Sequence, residues 1–188
     1  MSEETDPIIL VDGSSYLYRA YHALPPLMTS KNQPTGAVKG VISMIKRIRI
    51  DHPESPLAVV FDAKGKTFRH DMYSEYKGNR PPMPEDLVQQ IEPIHRIISL
   101  MGIKLIMISG VEADDVIGTL AEQARQKKLN TVISTGDKDM TQLVCDNVSV
   151  VNTMSGELLD ENGVEKKFGV GPELITDYLA LILSLIHI

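Results

Sequence analysis

The residues in this chain most suited to chemistry are acids, and they stand in one recurrent place. Ile8-Ile9-Leu10-Val11 runs into Asp12, and Ala58-Val59-Val60-Phe61 runs into Asp62. Thr131-Val132-Ile133-Ser134-Thr135-Gly136 runs into Asp137, with Asp139 two positions on. A fourth apolar run, Lys104–Ile108, leads through Ser109-Gly110-Val111 to Glu112, Asp114 and Asp115. A single Asp after a strand is most often a turn former or a helix cap. Seven acids converging from four runs are harder to explain in that way. Gathered at one place they would repel, and several would take up protons unless cations intervened. Hard divalent ions such as Mg²⁺ or Mn²⁺ prefer oxygen ligands. Seven carboxylates are too many for one ion and suit two ions with outer ligands. Two such ions fit the cleavage of a phosphodiester, by activating water and stabilising the leaving oxygen.

The acids need a scaffold that brings strand ends together. The apolar runs are continuous rather than alternating, as when helices cover both faces of a parallel sheet. Val148–Asn152 is a further strand candidate. Between the runs, Val38–Ile50, Pro84–Met101 and Ala113–Lys127 carry apolar residues at helical spacing. Alternation of strand and helix predicts an α/β fold with a mainly parallel central sheet flanked by helices. In such sheets ligands bind beyond the carboxyl ends of the strands, which is where all seven acids fall.

Residues 63–84 interrupt this rhythm. They hold Lys64, Lys66, Arg69, Lys77 and Arg80, with Tyr73 and Tyr76 interleaved, and lack a sustained apolar period. About twenty residues is long for a connection in a compact domain, so a functional loop is expected. A basic strip beside acids would attract the phosphates that the acids repel. The bland alternative is a solvated surface loop. Gly65-Lys66-Thr67 is not a phosphate-binding loop, because the required upstream glycine position holds Val60.

Composition narrows the classes. The 188 residues suit one domain, 43% of them hydrophobic and 23% charged, enough for a real core. Trp is absent, which argues against an aromatic base-stacking platform. The one cysteine, Cys145, excludes an internal disulfide and a cysteine zinc site and fits a reducing cytoplasm. The acidic start, residues 1–7, does not read as a secretory signal and is expected to be disordered. With no apolar run of about 18 residues, no membrane span is expected. His22, His52, His70 and His95 lack metal-ligand spacing. The net charge of −6 opposes a nucleic-acid partner only until divalent ions offset part of it. No serine–histidine–acid pattern stands out.

The motifs Ile9–Ala20, Val60–Arg69, Tyr76–Pro84, Gly110–Gly118 and Ser134–Asp139 resemble, in order, the 5′ nuclease domain at the N-terminus of bacterial DNA polymerase I. That domain belongs to a superfamily with flap endonucleases and phage 5′ exonucleases. The resemblance spans about residues 8–181. It implies a PIN-like fold, with residues 63–84 as a helical arch over the active site. It implies a 5′-3′ exonuclease and flap endonuclease acting on 5′ flaps, nicked duplex DNA and RNA–DNA primer junctions, in primer removal and excision repair. A monomer in the bacterial cytoplasm, associated with the nucleoid, is expected. Asp12, Asp62, Glu112 and Asp114 match a first metal site. Asp114, Asp137 and Asp139 match a second, with Asp115 as an extra acid nearby. Lys77 and Arg80 match arch cations that grip the scissile phosphate, and Tyr76 an arch aromatic that stacks on a displaced base. Arg19 matches a basic residue near the DNA backbone. Lys64, Lys66 and Arg69 complete the basic strip.

After Leu181 the resemblance stops. The family continues with a glycine, two aspartates three residues apart, and a helix–hairpin–helix element that grips duplex DNA. Here Ser184 and His187 fall at the aspartate positions. Residues 182–188 are therefore expected to be a non-native tail, Leu179, Leu181, Leu183 and Leu185 to be exposed, and this chain alone to be a weak or inactive nuclease. Two other readings stay open. One is a catalytically silent nucleic-acid-binding module. The other is an α/β phosphatase, disfavoured because Ser14 stands where such enzymes place a second aspartate.

Overall fold

A computed structural model describes residues 6–152 and 155–185, with side chains through Ile182. Of the expected disordered start, residues 1–5 lie outside the described residues; of the expected non-native tail, residues 182–185 continue α7 and 186–188 lie outside the described residues. In chain order the elements are β1 (Ile8–Asp12), α1 (Gly13–Ala23), α2 (Gly36–Asp51), β2 (Leu57–Val60), α3 (Phe68–Met72), α4 (Glu85–Leu100), β3 (Lys104–Ile106), α5 (Ala113–Gln126), β4 (Thr131–Thr135), β5 (Val148–Asn152), β6 (Leu158–Leu159), α6 (Glu161–Phe168) and α7 (Ile175–Leu185). The sheet order is β3-β2-β1-β4-β5-β6, with every pair parallel except β5–β6. The fold is α/β, as the alternation predicts.

Burial on both faces explains the continuous apolar runs. Along β1, Ile9 and Val11 enter one core with α1, α2 and α4, while Leu10 enters the other with α5 and α7. The helices obey the same logic. In α2, Ala37, Val41 and Ile45 are buried one turn apart. Helix α5 opens with Asp114 and Asp115 in its first turn, where carboxylates favour the helix N-terminus, and closes near Arg125.

Three expectations need adjustment. Residues 63–84 are not a helical arch: α3 is five residues long, and the rest is turns and extended chain. Pro81, Pro82 and Pro84 remove backbone donors and disfavour helix in the residues before them. Pro84 is the cap of α4 rather than its first helical residue. Leu179 is buried in the second core rather than exposed, whereas Leu181 is 68% exposed; the side chains of Leu183 and Leu185 lie outside the described residues. Among the described residues, no helix is long and apolar enough to cross a membrane.

The ends of β1 and β2 are locked by a close contact. A Cβ on Gly13 would lie 2.5 Å from the Phe61 ring. That ring stacks edge-on against His95 of α4 at a centroid distance of 4.5 Å and cannot swing aside freely. Gly13 follows Asp12 and Phe61 precedes Asp62, so this contact governs how near the two acids come. Gly13→Ala is expected to destabilise the protein by about 1–3 kcal/mol, the usual cost of overpacking. In urea denaturation, combining it with Phe61→Leu should cost less than the sum of the two single changes, because the smaller side chain makes room. Strict additivity would show that the ring is not the obstacle.

Candidate active site

Five of the predicted acids, Asp12, Asp62, Glu112, Asp114 and Asp137, line one cleft of about 390 Å³ at the carboxyl ends of the strands. Lys77 and Arg80 reach into the same cleft from the 63–84 segment. The place is dictated by topology. The strand order reverses between β1 and β4, the segments that follow them pack into opposite cores, and a crevice opens at that switch point. Asp12 ends β1, and Asp137 lies two residues beyond β4.

Hydrogen bonds fix the acids one by one. The Asp12 carboxylate accepts the Ser15 N–H at 2.9 Å, capping α1, and the Thr135 hydroxyl at 2.7 Å. Asp62 accepts the Ala113 N–H at 2.8 Å, and its own N–H donates to Ser14 Oγ at 3.1 Å. Asp137 accepts the Asp139 N–H at 2.9 Å. Glu112 accepts Lys77 Nζ at 2.7 Å and the Tyr76 hydroxyl at 3.2 Å. The 63–84 segment therefore folds down onto the acids, as the resemblance implies. Lys77 does so with φ +56°, a left-handed conformation rarely taken by a side-chain-bearing residue and often associated with functional sites.

Asp115 is placed differently. Its carboxylate faces away from the cleft and takes a two-pronged bond from Arg69, at 2.6 and 2.7 Å. It also accepts the Glu112 N–H at 3.0 Å. Arg69 thus fastens the start of the basic segment to α5 instead of presenting a free cation. Asp139 is exposed beside Asp137 and does not line the cleft. Lys64 and Lys66 are exposed on the loop, and Arg19 is half-buried on α1; none of the three lines the cleft. Tyr76 presents its hydroxyl to Glu112 and its ring edge-on to His70. Ser14, Ser15 and Thr135 were not singled out from the sequence. Their signal was a run of hydroxyl residues immediately flanking strand-end acids.

The electrostatics follow from crowding. Asp114 is exposed at the cleft, yet partial desolvation of its carboxyl, followed by the charges of Asp12, Asp137, Asp62 and Glu112, pushes it up to about 7. Burial raises Asp12, partly opposed by its bonds from Ser15 and Thr135. Partial desolvation of its carboxyl, though the residue is exposed, and the charge of Asp137 raise Asp139. Arg69 holds Asp115 below the usual carboxylate range. An all-oxygen donor set whose members cannot all ionise comfortably fits a hard divalent ion in kind. The shell is not preformed: among the described residues, no three histidine, cysteine or carboxylate side chains are grouped to hold a metal ion. Glu112 is turned to Lys77, and Asp12 to Thr135.

Residues 7–169 match the family model "5′-3′ exonuclease, N-terminal resolvase-like domain". The chain belongs to that family. It is 61% identical to DNA polymerase I of Pseudomonas aeruginosa over 175 residues, covering 93% of this chain and 19% of that protein. It is 47% identical to a 5′-3′ exonuclease of Buchnera aphidicola, covering 92% of this chain and 57% of that protein. The chain thus spans about a fifth of the polymerase and somewhat over half of the exonuclease. Among solved structures it resembles a bacteriophage T5 flap endonuclease, described as a pseudo-enzyme–product complex with DNA and metal ions. There the TM-score is 0.68 at 22% identity, covering 89% of this chain and 63% of that one.

The raised Asp114 carries a pH signature. Its ordinary value is 3.8 and its folded value about 7. Between these the folded state holds a proton that the unfolded state releases, so its stabilising contribution is lost as pH rises through that window. Asp12 and Asp139 act in the same direction. Asp115 has the opposite sign, and its contribution is lost only at acidic pH below the window. In EDTA, the melting temperature is expected to fall between about pH 5 and pH 7.5, and Asp114→Asn should flatten the fall. An unchanged slope in the Asn variant would remove Asp114 from this role.

Proposed function

We propose that this chain is the acid-bearing part of a divalent-metal-dependent 5′-3′ exonuclease and flap endonuclease that hydrolyses phosphodiester bonds at DNA 5′ ends. The observation that carries the reading is the convergence of Asp12, Asp62, Glu112, Asp114 and Asp137 on one cleft that Lys77 and Arg80 also enter. Acids alone would repel a nucleic acid, and cations alone would only bind it. Together they suit binding and cleavage of a phosphodiester.

Asp12, Asp62, Glu112 and Asp114 would hold one Mg²⁺ or Mn²⁺, and Asp114, Asp137 and Asp139 a second. Such ions, when bound, lower the pKa of water and stabilise charge on the leaving oxygen. The protein supplies the rest. Lys77 and Arg80 grip the scissile phosphate and counter its charge. Tyr76 and Tyr73 offer ring faces to a displaced base. Arg69, tied to Asp115, anchors the basic segment so that Lys77 meets the cleft rather than open solvent. Lys64, Lys66 and Arg19 contact DNA backbone outside the cleft. The substrates proposed are 5′ flaps, nicked duplex and RNA–DNA primer junctions, met by a monomer in the bacterial cytoplasm.

A silent DNA-binding module of the same fold is the second reading, favoured by Glu112 being turned to Lys77 and Asp12 to Thr135. A 5′-flap DNA with Mg²⁺ or Mn²⁺ separates the two. The nuclease reading expects cleavage by this chain, weak beside that of an intact enzyme, that EDTA stops and that Asp62→Ala removes while flap binding persists. Lys77→Ala should lower turnover by about 100-fold or more, the scale on which lost electrostatic stabilisation acts. Flap binding without any Asp62-dependent cleavage would establish the silent module instead.

A further inference from the structure

The two halves of the cleft sit on opposite sides of the topological switch point, and one hydroxyl spans them. Thr135 ends β4 and is 1% exposed. Its hydroxyl donates to Asp12 Oδ2 at 2.7 Å, and its oxygen accepts the Asp137 N–H at 3.0 Å. The direction is forced. A backbone N–H can only donate, so the one hydroxyl proton remains for the carboxylate. Register permits the bridge: Val11 pairs with Ser134, which brings Asp12 beside Thr135 across the parallel ladder.

A buried threonine needs a partner for its own sake, and the partner it takes decides what it can do. Thr131, on the same face of β4 four residues earlier, is also 1% exposed, and among the described residues its hydroxyl meets no acid. Thr135 differs in what it touches, an acid from β1 and the backbone of an acid after β4.

We propose that Thr135 is a positioning residue, which sets Asp12 and Asp137 at the separation that lets Asp12 hold one divalent ion and Asp137 its neighbour. This rests on the metal-dependent reading above. Thr135 acts through these two acids and does not itself meet the substrate. Bonds that orient ligands from behind commonly account for 10–100-fold in metal affinity.

The test uses Mn²⁺ alone, titrated without DNA and followed by electron paramagnetic resonance, with thermal melts in EDTA to register folding. Thr135→Val keeps the side-chain shape and loses the hydroxyl; Thr135→Ala is measured beside it as a second hydroxyl-free variant. Both are expected to weaken Mn²⁺ binding by about 10-fold or more. Thr135→Ser should bind like the unsubstituted chain, and so should Thr131→Val. Unchanged Mn²⁺ binding in Thr135→Val or Thr135→Ala would overturn the assignment alone, as would an equal loss in Thr135→Ser. No Mn²⁺ binding by the unsubstituted chain would overturn the metal reading itself, and this assignment with it.

Discussion

Carboxylates dislike one another's company in proportion to how poorly water reaches them, and this fold brings five into one cleft. Much else in the molecule answers that repulsion. Asp12 is buried, and both its oxygens accept hydrogen bonds, one from a helix N-terminus and one from Thr135. Asp62 leans on the first backbone N–H of α5. Glu112 has a lysine against it, and Asp115 an arginine. Asp114 has none of these and is pushed furthest from ordinary carboxylate behaviour. The acid left with the least protein support is the one assigned to both proposed ions.

The same repulsion gives the basic segment its position. Residues 63–84 contribute little to either core. They are held by Arg69 to Asp115, by Tyr76 and Lys77 to Glu112, and by the Phe68 N–H to the Gly110 carbonyl. These are polar holds rather than apolar ones: a two-pronged arginine–carboxylate pair and a lysine set against the buried Glu112. A segment fastened this way can shift when a polyanion competes for its cations, while the sheet beneath stays fixed by packing. An acid platform fixed by packing, beneath a basic strap held by polar contacts, suits the proposed grip on a DNA 5′ end.

Most of the scaffold was legible in the sequence because burial on both faces leaves an unmistakable trace. Continuous apolar runs such as Ile8–Val11 and Thr131–Ser134 became central strands, and helical spacing marked α2, α4 and α5. The acids were legible because they interrupt those runs at their ends. The short antiparallel β6 and the small α6 left too brief a pattern to stand out. The arch was read as helical from the family resemblance, yet its own residues, with three prolines and no apolar period, point to turns.

By itself the sequence determined which residue types stand at strand ends, that those ends share one edge of a parallel sheet, and that a basic strip lies between two of them. These follow from local periodicity and from the direction of a parallel sheet, neither of which needs coordinates. Only the tertiary structure decided how the seven acids divide. Asp115 follows Asp114 directly, but successive residues on a helix point about 100° apart. One therefore faces the cleft and the other meets Arg69. Only the structure could join Thr135 to Asp12, because strand register, not sequence distance, brings positions 123 residues apart within 2.7 Å.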